Sequence, residues 1–406
     1  MSTLKSGAFF LGGFVIAGSL FADGSWGGPS VSPSALNPKM SVIADMVGQS
    51  GTEGDPSQTQ DGFHLREVEI GLQADVDPYA RADFFIGGLD DHGSSPKLEE
   101  GYITLPTLPL GLQARGGKFK AVFGKLNTVH SHELPQVDLP LALTAFLGEE
   151  GMASTGLELS RVFSPFGLYT EATYAVLQDL GETTPSDPAT TQVVDVHGTT
   201  VTVAVPTQET EPAQRLRNFA QVAKVRLYAD MTDTTNVDLG LSGALHEPKD
   251  VAGLAPHDFD RKRFGAVDLT FRWKPLAHGV YQSALWRTEG FYTDQSLAPV
   301  TDPVDASQNQ PAARINRRGA YSYVEVQPVK RWRAGVRGDY VEDPEVRDNN
   351  IPHITRAFAP YVTFTLSEFN RFRVQWTRKD LPRGETENLG YLQWTIVLGP
   401  HGAHAF

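Results

Sequence analysis

RWRAGVRGDYVED (residues 331–343) sets Arg331, Arg333, Arg337 and Asp339 on one series of alternate positions, and Trp332, Ala334, Val336 and Tyr340 on the other. Side chains of an extended strand point alternately to opposite faces, so a period of two gives one charged face and one apolar face. The same pattern recurs elsewhere. In RFGAVDLTFRW (263–273), Val267, Leu269, Phe271 and Trp273 alternate with Asp268, Thr270 and Arg272. In RFRVQWTRK (371–379), Phe372, Val374 and Trp376 alternate with Arg371, Arg373, Gln375 and Thr377, and in 236–245 Val237, Leu239 and Leu241 oppose Asp238, Gly240 and Ser242. A secreted soluble sandwich also alternates, with its apolar face inward. The rest of the chain decides which face meets the core.

About sixteen such segments follow one another: 40–48, 66–76, 79–87, 97–105, 110–119, 153–163, 167–177, 218–229, 236–245, 263–273, 279–291, 318–327, 331–343, 357–366, 371–379 and 389–399. Most run to about ten residues, the length with which a tilted strand crosses a bilayer. Their connections alternate in kind. Short ones (76–78, 163–167, 230–235, 274–278, 328–330, 367–370) alternate with long polar ones at 49–65, 120–152, 178–217, 246–262, 292–317 and 343–356. Long loops on one rim and tight turns on the other belong to outer-membrane barrels, and an even strand count returns both termini to the short-turn side. Trp273, Trp332, Trp376, Tyr391 and Trp394 lie near segment ends, where interfacial girdles sit. The apolar face is therefore expected to meet lipid and the charged face a hydrated lumen. The expected fold is an all-β, transmembrane, antiparallel up-and-down barrel.

Composition agrees. At 406 residues, length alone allows either several soluble domains or one barrel, but 39 glycines, 27 prolines and 10% aromatics favour many short strands joined by turns. The chain has no cysteine, which excludes disulfides and thiolate metal sites. A formal net charge of −13 argues against nucleic acid as a partner. Lys5 precedes the apolar run SGAFFLGGFVIAGSLFA, which ends in small residues near Ala22. Residues 1–22 read as a secretory signal peptide, because the run is short for a spanning helix and is diluted by glycines. A polar segment (23–38) follows, and the barrel is expected over 39–406.

Two stretches, KLEEGYITLPTLPLGLQARGGKFKAVFGKLNTVHSHELP (97–135) and FLGEEGMASTGLELS (146–160), resemble the phosphate-selective porin O and P family of outer-membrane channels. With REVEIGLQADVDPYARADFF (66–85), the similarity covers about a third of the chain. The LNxxHxHxLPxVDxPL pattern and the HGAHAF tail resemble a sub-group described as zinc-regulated outer-membrane proteins. The resemblance implies a sixteen-stranded, trimeric, ion-conducting barrel in the bacterial outer membrane, amid lipid and lipopolysaccharide. It also implies that loop 120–152 forms the constriction, and that Lys118, Lys120, Lys125 and the lumenal arginines of 331–343 guide anions. The expected pore-lining set adds Arg115, Lys224, Arg226, Arg272, Arg371, Arg373, Glu67 and Glu69 to Arg331, Arg333 and Arg337. Basic and acidic positions placed inside are nearly balanced, so uniform anion selectivity does not follow. Basic residues cluster on late strands and several acids on the second and third, a transverse field that suits a general diffusion pore for small ions and solutes.

His130-Ser131-His132-Glu133 is the strongest chemical cluster. Alternate histidines share a face, and two imidazoles with a carboxylate (His130, His132, Glu133) suit zinc or another borderline divalent ion. A metal-binding or metal-responsive uptake channel is thus the alternative to a plain porin, and no other cofactor is expected. The polar set His246, Glu247, Asp250, His257, Asp258 and Asp260, and the tail pair His401 and His404, are weaker candidates. Phe406 fits the terminal aromatic with which barrels commonly end. No GxSxG, HExxH or phosphate-cradling loop occurs. Ser131 alone keeps a barrel hydrolase in view, and the chain reads as a non-enzyme.

Overall fold

The computed structural model describes residues 38–52, 61–89, 95–181, 191–196, 199–204, 219–247, 261–277, 279, 281–297, 313–343 and 353–399. The expected leader, the segment after it up to residue 37, Asp250 to Asp260, His401, His404 and Phe406 lie outside the described residues.

Every expected strand forms. They are β1 (Lys39–Thr52), β2 (Gly62–Asp77), β3 (Ala80–Leu89), β4 (Lys97–Leu108), β5 (Leu112–Lys120), β6 (Ala153–Phe163) and β7 (Tyr169–Leu177). After a hairpin of β8 (Thr191–Val196) and β9 (Thr199–Ala204) come β10 (Ala220–Thr232), β11 (Thr235–His246), β12 (Lys262–Trp273), β13 (Ser283–Leu297) and β14 (Ala313–Val329). The wall ends with β15 (Trp332–Glu342), β16 (Ile354–Ser367), β17 (Asn370–Asp380) and β18 (Thr386–Leu398). All but β8 and β9 join one closed antiparallel barrel of sixteen strands. β1 seals it by pairing with β18 from Val42 opposite Leu398 to Thr52 opposite Asn388. Closure leaves this sheet no bare edge, which is the condition for strands to sit in hydrocarbon. β8 and β9 pair only with each other, inside the connection that the sequence reads as polar loop.

The alternation resolves as expected. Val267, Val374 and Trp376 are 51%, 58% and 43% exposed, whereas Asp268, Thr270, Arg337 and Arg373 are buried on the inner side. Trp273, Trp332 and Trp394 stand on the outer face near the short-turn rim, Trp394 stacked on Phe372 and Trp332 tilted against Phe364. Greasy side chains face out, ionised ones in.

Three expectations need correction, the first being Tyr391, which shares the inward parity of Gln393 and Thr395 and pairs with the buried Gln375, so it belongs to the lumen and not to a girdle. Arg331 falls in the tight turn between β14 and β15, exposed at the rim, and does not line the wall. Lys118 points outward. It shares the parity of Gly116, whose vacant Cβ position abuts the outward Leu157, and it donates to the Leu98 carbonyl. Phe119 takes the inner face instead, fully buried, with the Arg115 guanidinium 4.3 Å from its ring. The cause lies in the lumen, which has an apolar core of its own.

That core belongs to the connection between β5 and β6. Residues 121–152 turn into the barrel, where Ala121, Phe123, Leu126, Leu134 and the short helix α1 (Leu141–Leu147) pack against inner-face residues Phe264, Phe291, Tyr321 and Tyr323. Gly319 on β14 makes room, because a Cβ there would lie 2.8 Å from Ala142 and from the Phe146 ring. A second adjustment is a bulge in β2. Asp45 pairs with Glu67 and Met46 with Leu65, which leaves Arg66 extra and turned inward onto Asp45 at 2.5 Å.

An outward charge should therefore be costly. Val267→Arg, half-way along β12, is expected to destabilise the barrel by about 2–4 kcal/mol, measured by urea unfolding in phospholipid vesicles. An unchanged midpoint would contradict the outward placement of this face.

Candidate functional site

Loop segment 132–141 reads HELPQVDLPL, and its two prolines lack N–H donors and favour extended backbone. Extended backbone inside a barrel carries carbonyls that no ladder satisfies, and each needs a partner. Arginines of the wall supply them. Arg371 donates to the His132 carbonyl, Arg373 to those of Leu134 (2.6 Å) and Gln136 (2.8 Å), and Arg337 to that of Asp138 (2.8 Å). These are successive alternate residues, so one side of the segment runs along β15 and β17. From the other side Arg66 reaches the Val137 carbonyl at 2.5 Å. Side chains take the donors: Val137 N–H bonds Gln375 Oε1 (2.8 Å) and Leu141 N–H bonds Asp339 Oδ1 (3.1 Å). Arg337 also pairs with Asp138 (3.0 Å) and Asp339 (2.8 Å), which neutralises a guanidinium that is 0% exposed.

The start of the loop is held by the opposite wall. Gly124 N–H bonds Ser242 Oγ (3.0 Å), Lys125 N–H bonds Glu289 Oε1 (2.9 Å), and Lys224 Nζ reaches the Gly124 carbonyl (2.5 Å). Lys125 Nζ lies 2.7 Å from Asp238, which also takes Arg226 at 2.7 Å. Burial pushes the Lys125 ammonium down to about 8, against the pull of Asp238.

Between these anchors a turn, Ser131–Glu133, rests on β2 and β4. His130 Nδ1 lies 2.6 Å from Glu69 Oε2 and 3.4 Å from Glu99 Oε2, and Nε2 lies 2.8 Å from Glu100 Oε1. Burial and Lys120 act to lower the His130 imidazole, but its carboxylate partners prevail and hold it well above its ordinary range. His132 Nδ1 stands 3.9 Å from Glu67 and 4.0 Å from Glu69, and the two imidazole centroids are 5.6 Å apart. Ser131 Oγ donates to Glu67 Oε2 at 2.7 Å. The hydroxyl is thus engaged by a carboxylate rather than by an imidazole base.

Three cavities border the loop. The first, about 460 Å³, lies against β2–β7 and β10 and is lined by Arg81, Asp83, Glu100, Arg115, Lys120, Lys125, Glu158, Glu171, Lys224 and Arg226, among others. The second, about 700 Å³, lies against β12–β18 and holds Arg272, Arg287, Arg333, Arg371, Arg373, Glu133, Glu325 and Glu368. The third, about 360 Å³, is bordered by Arg66, Glu67, Lys97, Glu99, Glu149 and Glu150. Polar space thus remains on both faces of a loop that fills the middle.

Of the expected pore-lining set, Arg115, Lys120, Lys125, Lys224, Arg226, Arg272, Arg333, Arg371, Arg373 and Glu67 border a cavity. Arg337 and Glu69 face inward but are covered by the loop, each 0% exposed, so they do not line open space. The β2 acids therefore meet histidines rather than forming one wall of an open transverse field. Among the expected metal residues, His130 and His132 come together, but Glu133 turns to the second cavity and burial raises its carboxyl. Glu69 takes its place. Arg66, Glu99 and Glu100 were missed by sequence reasoning; the alternation rule puts Arg66 on the lipid side, and only a bulge brings it in.

No protein-family model matches the chain. It is 28% identical over 412 residues to an uncharacterized protein of Aquifex aeolicus (strain VF5), covering 96% of this chain and 79% of that one. Among solved structures it is similar to an anion-selective porin from Comamonas acidovorans (TM-score 0.54, 9% identity, 89% of this chain and 99% of that one). It is also similar to Pseudomonas putida OprB (0.55, 8%, 89% and 94%) and to Salmonella typhi OmpF (0.54, 9%, 90% and 99%). At such identities the likeness is one of fold. The chain is a sixteen-stranded barrel of the porin type, and its place is the bacterial outer membrane.

Two outcomes follow. Arg373→Ala leaves the Leu134 and Gln136 carbonyls without this donor, so limited proteolysis of the folded barrel should cut within 121–152 where the wild type resists. Lys125 has a folded value below its ordinary 10.5, so its burial penalty is full below about pH 8 and is relieved as pH rises towards 10.5. Wild type should gain about 2 kcal/mol on Lys125→Met between pH 7 and pH 10, read from unfolding midpoints at the two pH values.

Proposed function

We propose that this chain is a passive channel for small hydrophilic solutes and ions across the outer membrane, of the phosphate-selective porin O and P kind. The observation that carries the reading is an ion-lined bore narrowed by its own inward loop, with polar cavities left on both sides of it. Ionisable groups converging on a constriction select permeants by charge and size. No catalytic step is needed.

The two larger cavities support a weak preference for anions, whereas the third is slightly acidic, with Arg66, Lys97 and Lys120 against Glu67, Glu99, Glu149 and Glu150. Among the charged residues bordering the first, six basic (Arg81, Arg115, Lys120, Lys125, Lys224, Arg226) face four acidic (Asp83, Glu100, Glu158, Glu171). In the second, five arginines face Glu133, Glu325 and Glu368. Each excess is two positive charges, enough to bias entry but not to exclude cations. A homotrimer fits the family resemblance; a Vibrio cholerae OmpT, 8% identical with a TM-score of 0.51, was solved as a trimer form.

Refolded protein in planar bilayers should give stepwise conductance, and the reversal potential in a salt gradient should have the sign of anion preference. Arg272→Glu with Arg333→Glu, which changes the second cavity from five basic against three acidic to three against five, should move that potential towards cations. Absence of conductance steps would refute the channel; an unmoved potential would refute the anion route.

A further inference from the structure

Glu69, His130 and His132 are 0%, 1% and 2% exposed, and one ligand atom from each lies within 4.8 Å of the others. They come from two separate elements, the β2 wall and the turn of the inward loop. Oxygens of Glu67 and Glu99 form an overlapping group with Glu69. Two imidazole nitrogens and several carboxylate oxygens thus converge on one buried point.

Two further observations separate this point from an ordinary acidic cluster. The first is the orientation of His130. Its Nε2 is bonded to Glu100 Oε1 at 2.8 Å, and the other Glu100 oxygen accepts the Lys120 N–H at 2.9 Å. The ring is therefore fixed from behind, with Nδ1 directed at Glu69. A carboxylate behind the imidazole is the support that metal-ligating histidines take, because it sets the tautomer and raises ligand basicity. The second is charge. Four carboxylates (Glu67, Glu69, Glu99, Glu100) surround the histidine pair, against the Lys120 ammonium on β5, while the neighbouring Arg66 is committed to Asp45 and the Val137 carbonyl. Withdrawing that much negative charge from water is costly unless cations share the space, a role the His130 imidazolium fills in part and a bound metal ion would fill more fully.

We propose that Glu69, His130 and His132, completed by Glu67 or Glu99, form a site for a divalent transition-metal ion of the zinc class, and that its occupancy fastens the inward loop to the β2–β4 wall. Mixed imidazole and carboxylate donors suit zinc and its neighbours, whereas calcium and magnesium prefer all-oxygen shells. The ion would bridge the β2–β4 wall and the His130–His132 turn, beside the arginine pins at the His132 and Val137 carbonyls. The inference does not rest on conduction, since an ion can tie the loop whether or not solute passes.

Zinc chloride titrated calorimetrically into the refolded full chain in detergent should show one tight equivalent. Glu69→Gln and the double variant His130→Gln/His132→Gln should each weaken it at least tenfold, and Glu100→Gln by about 10–100-fold. Glu133→Gln should leave it unchanged. Cobalt substitution gives a second readout, with visible d–d bands in the wild type that the ligand variants lose, and heat-modifiable gel migration shows that each variant has folded. Bound zinc should also slow proteolysis within 121–152. No stoichiometric binding by wild type, or wild-type affinity retained in Glu69→Gln and in the double histidine variant, would overturn the site; a comparable weakening by Glu133→Gln would overturn this choice of ligands.

Discussion

A run of backbone carbonyls lies inside a barrel, away from any strand ladder, and guanidinium groups of the wall hold it there. The whole interior depends on this pairing. His132, Leu134, Gln136 and Asp138 offer their carbonyls on one side, and Arg371, Arg373 and Arg337 answer in register because β15 and β17 carry arginine on alternate inward positions. Without such donors a proline-interrupted segment could not remain in a confined bore, since buried carbonyls must be matched. Arginine suits the task better than lysine, having several N–H donors in a fixed plane and no readily lost proton.

The same arrangement divides the lumen chemically. Where the loop and α1 press against β12–β14, the bore is apolar, and aromatic residues appear on a face that otherwise carries ions. Tyr321 and Tyr323 stack at 6.3 Å between centroids, and the Tyr321 hydroxyl is tied to Glu289. Beside this packed region the wall keeps its charges facing water. The inner surface is thus part protein core and part pore lining.

This division marks how far the sequence could be read. All sixteen wall strands were legible, because lipid outside and ions inside impose a strict period of two over about ten residues. The rule failed at Phe119, which is apolar yet inward since a second hydrophobic environment awaits it, and so it misplaced Lys118. It also assigned arginines such as Arg337 to permeant ions when their partners are carbonyls of the chain itself. HSHE showed that two imidazoles share a place. It could not show that the carboxylate between them comes from Glu69, sixty residues upstream, because only the inward course of the loop brings β2 to the turn. Hairpin β8–β9 escaped notice because its surroundings are polar.

Asp45, on the first strand of the wall, receives Gln393 and Thr395 from the last strand and Arg66 from the second. Arg66 in turn grips the loop, whose other fastenings lie on β15 and β17 across the seam. The consequence concerns the order of assembly. Until amino-terminal and carboxy-terminal strands zip together, the two sets of fastenings belong to opposite margins of an open sheet, and the loop can be clasped from only one of them. Sealing the wall is thus what brings both sets of fastenings onto the loop together, with one buried carboxylate at the point where they meet.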